Sequence, residues 1–259
     1  MSASSITASL PVIRSLVGRS MNELFRVPGA ASPGVLAPTI FFLGLTAVFG
    51  NLALLPGFEA DRYQSFIIPV SLMQGAAFTG AATGVNLARD IEQGWFDRLL
   101  ASPAPRPVIL AGLVYSASLR ALIPGSVVIC VGLAIGVRWP GFLGLLVATA
   151  MIMGLAATAA TWGATLAFKF KTQSAAPLMQ AGTLLAVLTT TAYAPLPLLT
   201  GWLKVVATYN PLTQVLEAVR QGFVGNVSWA DTWPGLVALI GIWVFFTLLA
   251  LRGMRKMTA

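Results

Sequence analysis

Long runs without Asp, Glu, Lys or Arg alternate with short charged segments along the chain. About 20 apolar residues form a helix that crosses the roughly 30 Å hydrocarbon layer of a bilayer. Each run reaches or approaches that length, so the pattern predicts six transmembrane helices. We expect the first to begin near Val35, after the early prolines, and the third to extend backwards through 108–119 with Arg120 embedded in it. The six charge-free runs are 27–58, 63–88, 121–137, 139–168, 172–203 and 232–251.

Composition supports an all-α integral membrane protein. The 259 residues are 57% hydrophobic and 9% charged, against roughly 25% charged residues in an ordinary soluble domain. Such a chain cannot cover a soluble surface, so a soluble enzyme is excluded. The chain has no histidine, one cysteine and no phosphate-binding loop motif, so we expect no catalytic, cofactor-binding or metal site in it. No linker or repeat divides the sequence, which predicts a single membrane domain over 1–259.

The distribution of basic residues predicts the orientation of the spans. With six spans both termini share one side, where eleven Lys and Arg residues fall, against four on the other side. Positive residues prefer the cytoplasm, so both termini are expected to be cytoplasmic. The net charge of +8 is then explained by the excess of basic residues on the cytoplasmic side of the membrane. No basic face with interleaved aromatic residues suggests a nucleic-acid partner.

Residues 10–26 form a two-faced pattern that is typical of an interfacial helix. Val12, Ile13, Leu16 and Val17 lie on one helical face, whereas basic residues such as Arg19 lie on the other. Such a helix is suited to the lipid headgroup layer. The alternative is a helix packed on a soluble core, but the composition provides no such core.

The segment 89–106 interleaves charged and apolar residues and ends in a proline-rich stretch. Asp90, Glu92 and Asp97 alternate with apolar residues such as Trp95 and Phe96. This pattern fits a short helix with one face against the membrane domain and a charged face toward the cytosol. It fits equally well a solvated loop whose charges keep it out of lipid.

The segment 195–233 is long for a connection and has its own helical signals. Asn210 and Pro211 match a helix N-cap followed by proline at the first helical position. Glu217 and Arg220 lie three residues apart and can pair. We predict two short external helices that dip into the membrane edge or cap the bundle; the alternative is a surface loop that rests on the spans.

Polar and aromatic residues inside the predicted spans are candidates for a translocation path. Gln74, Phe78, Gln180 and Thr183 are the residues we select. Polar groups in spans more often bond a neighbouring helix, so that interpretation stays open. The spacing of Gly80 and Gly84 permits close helix approach, although 25 glycines make chance matches common.

Two motifs resemble type 2 ABC exporter (ABC-2) permeases of the daunorubicin-resistance-like branch. With the helix at 10–26 and the six spans, the resemblance covers nearly the whole chain. One departure is Trp95-Phe96, where the family usually has a smaller pair. The first motif contains Asp90, Gly94, Asp97-Arg98, Ser102-Pro103, Arg106 and Gly112, and the second contains Pro195-Leu-Pro197, Trp202-Leu203, Asn210-Pro-Leu-Thr213 and Glu217 through Arg220.

The resemblance implies a dimer of six-helix permease units, identical or different, each with a separately encoded ATP-binding subunit that holds ATP and Mg²⁺. The segment around Asp90–Arg98 would be the coupling helix in a groove of that ATPase, and the external helices would close the outer end of the path. The location would be the inner (plasma) membrane of a bacterium. The implied coupling residues are Asp90, Glu92, Gly94, Asp97, Arg98, Pro103 and Arg106, and the implied external gate contains Asn210, Glu217 and Arg220.

The resemblance and the apolar spans favour export of amphiphilic, drug- or antibiotic-like compounds. Two other functions remain open from the residues: an ABC permease for lipids or lipid-linked glycans, and a non-transporting membrane scaffold or membrane enzyme. The absence of a catalytic constellation argues against the enzyme.

Overall fold

The computed structural model describes residues 3–26, 28–54, 56, 58, 60–102 and 104–257, and it describes side chains from residue 11 onward except at 23–25 and 28–33. Nearly all of this part of the chain is helical, as predicted. Three short 3-10 helices, Gly50–Leu54, Gln173–Ala175 and Leu196–Leu198, lie between the α-helices. The α-helices are α1 (Ala3–Arg26), α2 (Pro28–Phe49), α3 (Tyr63–Glu92), α4 (Trp95–Leu100), α5 (Arg106–Arg120), α6 (Leu122–Ala134), α7 (Gly141–Phe170), α8 (Ala176–Leu188), α9 (Gly201–Tyr209), α10 (Pro211–Val224) and α11 (Trp229–Arg255).

Five helical segments in the described residues are long and apolar enough to cross a membrane. They correspond to five of the six predicted spans, and α5 and α6 together form the predicted third span with Arg120 inside it. The helix α2 begins at Pro28 rather than near Val35, because proline is compatible with the first turn of a helix. The apolar span that it contains begins at Gly34, close to the expected position. The segments are Gly34–Leu54, Tyr63–Glu92, Arg106–Ala134, Gly141–Phe170 and Trp229–Arg255.

The predicted span at 172–203 is not one continuous helix. Its helix α8 has 13 residues, or about 20 Å at 1.5 Å per residue. The hydroxyls of Thr189 and Thr190 donate to the carbonyls of Leu185 and Val187, at 2.8 and 2.7 Å, and so compete with continuation of the backbone ladder. Prolines at 195 and 197 then prevent the helix from resuming.

The helices α3 and α7 form the centre of the bundle. Most of the apolar part of α3 is buried, whereas most of the apolar part of α11 is exposed. A Cβ atom on Gly84 would lie 2.4 Å from Gly163 Cα, and one on Gly80 would lie 2.4 Å from the Ala156 carbonyl oxygen. The glycine pair therefore permits direct backbone contact between α3 and α7, as its spacing allowed.

The bundle has two ends, each with its own apolar cluster. At the α1 end, α4 meets the C-terminal ends of α3, α7 and α11 around a cluster that includes Leu87, Phe96 and Met254. At the opposite end, a larger cluster includes Tyr63 and Phe223. The long helices connect the two clusters.

The helices α9 and α10 enter the bundle and return toward the opposite end. Pro211, at the start of α10, lies beside Ala77 and Leu155, which are midway along α3 and α7. Gly222, near the end of α10, lies against Gly144 in the first turn of α7, where an added Cβ would come within 2.9 Å of Gly144 Cα. The path of α10 therefore covers only half of the bundle's depth.

We predict that Gly84→Ala destabilises the chain, because the new methyl group has no space between α3 and α7. Overpacking of this kind costs typically about 1–3 kcal/mol, which should lower the midpoint of thermal unfolding of the detergent-solubilised protein by several degrees. The matched control is Gly241→Ala in α11, where an added Cβ has no neighbour within 4 Å. Equal unfolding midpoints for the two variants would contradict the glycine contact.

Candidate functional site

The segment that resembles a coupling helix forms α4, directly after α3. Gly94 adopts φ +72°, a left-handed conformation that favours glycine and that turns the chain between the two helices. Phe96 is fully buried, with its ring centroid 5.6 Å from that of Phe168 on α7. Asp97 and Arg98 are exposed. The short two-faced helix was therefore the correct interpretation of the sequence, rather than the solvated loop.

Asp90 is not on this exposed face. Its side chain is largely buried and accepts two hydrogen bonds from Nη2 of Arg19 on α1, both at 3.0 Å. The guanidinium carbon of Arg19 lies 3.7 Å from the centre of the Trp95 ring, within range of a cation–π interaction. Arg19 therefore joins α1, α3 and α4 in a single cluster, which we call the Arg19 clamp.

The sequence pattern did not reveal this role of Arg19, because the polar face of α1 was assigned to lipid headgroups. Leu16, one turn earlier, is buried and packs so closely on α5 that a Cβ on Gly112 would come within 2.6 Å of it. The described apolar face of α1 thus contacts the bundle. The contribution of residues 23–25 to that face lies outside the described side chains.

Glu92 connects α3 to the 3-10 helix Gln173–Ala175, which leads into α8. Although exposed, its carboxylate accepts a hydrogen bond from the backbone N–H of Gln173 at 2.9 Å. Arg106 is half-buried at the start of α5. Pro103 lies outside the described residues. Of the seven implied coupling residues, Asp97 and Arg98 are thus exposed on α4. Glu92 is exposed but bonded to Gln173, and Asp90 is largely buried and bonded to Arg19.

The implied external gate contains a buried arginine. Arg220 is 4% exposed, and its guanidinium lies 3.8 Å from the centre of the Phe66 ring. It donates to the Thr191 carbonyl at 2.7 Å, to the Phe66 carbonyl at 3.2 Å and to Glu217 Oε1 at 2.6 Å. Thr191 also donates to Glu217 through its hydroxyl. These bonds attach α10 to α3 and to the segment after α8.

Asn210 caps α10 and holds its first turn. Its side-chain oxygen accepts from the backbone N–H of Leu212 at 2.9 Å, as the N-cap pattern predicted. Its amide nitrogen donates to the carbonyl of Ala186 at 2.8 Å and to the hydroxyl of Thr189 at 3.1 Å. One side chain therefore closes the start of α10 onto the end of α8.

The four residues selected for a translocation path are not brought together. Gln74 is buried and Phe78 is half-buried in α3, whereas Gln180 is exposed on α8. Thr183 lines a cavity of about 360 Å³ between α8 and α11.

Arg120 donates to the Thr83 hydroxyl at 2.7 Å and is 6% exposed, so this arginine is buried within the bundle.

These features define a multi-pass helical membrane protein with a short amphipathic helix at one end and a half-depth helix pair reaching the other. Residues 11–224 match the model of the ABC-2 type transporter family. The chain belongs to the ABC-2 type transporter family.

Relatives share modest identity over most of the chain. The daunorubicin resistance ABC transporter permease protein DrrB1 of Streptomyces coeruleorubidus is 26% identical over 231 residues, covering 87% of this chain and 79% of its own. The probable doxorubicin resistance ABC transporter permease protein DrrC of Mycobacterium tuberculosis is 26% identical, covering 89% and 79%. The probable multidrug ABC transporter permease YbhR of Escherichia coli is 26% identical, covering 68% and 49%.

We predict that Arg19→Ala loosens α1, since it removes both bonds to Asp90 and the contact with Trp95. A partly exposed ion pair contributes about 1 kcal/mol, so hydrogen exchange of the backbone amides of α1 should accelerate about fivefold. Hydrogen–deuterium exchange followed by mass spectrometry measures this. Arg14→Ala, at an exposed arginine of the same helix, is the control, and equal exchange in both variants would contradict the clamp.

Proposed function

We propose that the chain is the transmembrane permease subunit of an ATP-driven ABC exporter that moves amphiphilic, drug-like compounds out of the cell. The observation that carries this proposal is α4, whose apolar face is fixed to α7 while Asp97 and Arg98 remain exposed. A separate ATP-binding subunit supplies ATP, Mg²⁺ and hydrolysis. The relatives named for daunorubicin and doxorubicin resistance favour drugs over lipids or lipid-linked glycans.

The contacts of α4 can transmit a movement of the ATPase to the membrane helices. A displacement of α4 reaches α3 through the Gly94 turn, α7 through Phe96 and Phe168, and α1 through the Arg19 clamp. Glu92 adds a link to the 3-10 helix that leads into α8. In this proposal Asp97 and Arg98 contact the ATPase, while Asp90 is a positioning residue that keeps α1, α3 and α4 together.

The proposed exit lies at the opposite end of the bundle. The bonds of Arg220 to Glu217, Thr191 and Phe66 hold α10 closed, and Asn210 holds its first turn to α8. Their release would let α10 move without any change within the long helices. This is the physical basis for assigning Asn210, Glu217 and Arg220 to an external gate.

The proposed assembly is a dimer of permease subunits, identical or different, each bound to an ATP-binding subunit, in the inner (plasma) membrane of a bacterium. Exposed apolar surfaces on α2 and α11 provide area for lipid and for the second permease. The excess of basic residues near the α1 end supports a cytoplasmic position for both termini in this proposal.

We predict that the double variant Asp97→Ala with Arg98→Ala uncouples the exporter. Loss of two exposed charges at a contact with the ATPase should reduce drug efflux and drug-stimulated ATP hydrolysis about tenfold, while membrane insertion and folding remain intact. The measurement uses proteoliposomes that contain the permease and its ATP-binding partner. Lys204→Ala, at an exposed residue of α9, is the control, and wild-type efflux from the double variant would refute the coupling role.

We predict opposite accessibility for the two ends of the bundle. Cys130 is the single cysteine, so Cys130→Ser gives a background for Arg98→Cys and Lys204→Cys. A membrane-impermeant maleimide added to intact cells should label only the cysteine at position 204, and permeabilisation should expose the one at position 98. Labelling of position 98 in intact cells would reverse the proposed orientation.

A further inference from the structure

A cavity of about 360 Å³ opens on the side of the bundle between α8 and α11, midway between its two ends. Its floor is formed by buried residues of α3 and α7, among them Ala77, Leu155 and Ala159. Its sides are half-exposed residues of α8 and α11, including Ala186 and Phe246. This volume lies in the usual range of small-molecule pockets, roughly 300–1,000 Å³.

Two aromatic rings form one wall of the cavity. Trp162 and Phe246 meet edge to face, with ring centroids 5.2 Å apart. The Trp162 ring is fixed by a hydrogen bond from its Nε1 to the Met179 carbonyl at 3.3 Å. It is also fixed by contact with Gly182, where an added Cβ would come within 3.0 Å of the ring. The wall is therefore rigid before any ligand arrives, and such walls favour flat aromatic ligands.

Two threonine hydroxyls in the lining can accept hydrogen bonds from a ligand. The Thr158 hydroxyl donates to the Gly154 carbonyl at 2.9 Å, and the Thr183 hydroxyl donates to the Gln180 carbonyl at 2.9 Å. Each oxygen keeps lone pairs to offer a ligand. None of the thirteen residues that line the cavity carries a charge, so a charged group would enter without a counter-ion at high energetic cost.

We infer that this cavity binds the fused-ring portion of an aromatic amphiphile in its uncharged form, with the rings against Trp162 and Phe246 and a hydroxyl or amine donor toward Thr158 or Thr183. The inference rests on the proposed export function and names its substrate class and intramembrane site. The first turn of α10, Asn210 to Leu212, forms part of the cavity lining. A bound ring therefore touches the same turn that Asn210 holds to α8, which connects occupancy to the proposed gate.

The test measures binding to the permease with its ATP-binding partner in lipid nanodiscs, with daunorubicin as the fluorescent probe. Trp162→Leu should raise the Kd about tenfold because it removes an aromatic contact, whereas Trp162→Phe should stay within about threefold of wild type. Ala186→Phe fills the cavity and should abolish binding. Trp243→Leu is the matched control, because Trp243 is an exposed residue of α11 that lines a different groove.

A second probe separates the fused ring from a plain alkyl chain. Tetradecylamine carries a primary amine, as daunorubicin does, but no ring, and it should not compete for the cavity at concentrations where daunorubicin saturates it. Raising the pH through the range where the daunorubicin amine deprotonates should tighten binding, because the uncharged fraction increases.

Four results would overturn the inference: no daunorubicin binding to the unaltered complex, equal effects of Trp162→Leu and Trp243→Leu, retention of binding in Ala186→Phe, or full competition by tetradecylamine. Each can occur while ATP-driven efflux persists, so the proposed function would stand. Loss of all amphiphile efflux by the unaltered complex, with cavity binding intact, would instead contradict the proposed function and leave the site supported.

Discussion

The direct contact of α3 with α7 is the constraint on which the rest of the bundle depends. In lipid, apolar side chains gain little by leaving their surroundings, so helices associate mainly through close packing and hydrogen bonds. Gly84 and Gly163 bring two backbones together where side chains would hold them apart. Hydrogen bonds attach α5 and α11 to α7. Ser118 on α5 donates to the Met153 carbonyl at 3.0 Å, and Thr165 on α7 donates to the Phe246 carbonyl at 3.3 Å.

Two buried charges, Asp90 and Arg220, lie away from this central contact and connect elements that the glycines do not. Asp90 binds Arg19 at one end, and Arg220 binds Glu217 and two backbone carbonyls at the other. A buried ion pair stabilises weakly overall, but the loss of one partner is costly because the other charge remains. Such contacts therefore specify how α1, α4 and α10 are arranged around the pair α3 and α7, which the glycine contact already holds together.

The structural features that could be predicted from the sequence are those that depend on residues close together in the chain. Asn210 was recognisable as a helix cap, Phe96 as part of an inward face, and five spans as long apolar runs, because each signal lies within a few residues. The Arg19 clamp was not recognisable, since its partner is 71 positions away and the same arginine suits a lipid headgroup equally well. The break after α8 was missed because a threonine run is apolar enough to pass as a span, while its hydroxyls end the helix.

The cavity beside Trp162 was also not predictable from the sequence, because it depends on contacts between residues far apart in the chain. Of the four path residues chosen from the spans, Thr183 lines it and Gln74 does not. Tryptophan and glycine are common in apolar helices, so Trp162 and Gly182 gave no signal in the sequence. Only the packing of the Trp162 ring against Gly182 makes it a wall of the cavity.

The short length of α8 has a mechanical consequence. About 20 Å of helix leaves roughly a third of the hydrocarbon layer uncovered, and α9 with α10 occupies the remainder. The wall at this position is thus two pieces that meet along a seam at Asn210 and Ala186. Continuous helices must tilt or unwind to make an opening, whereas a seam can part by exchanging a few hydrogen bonds.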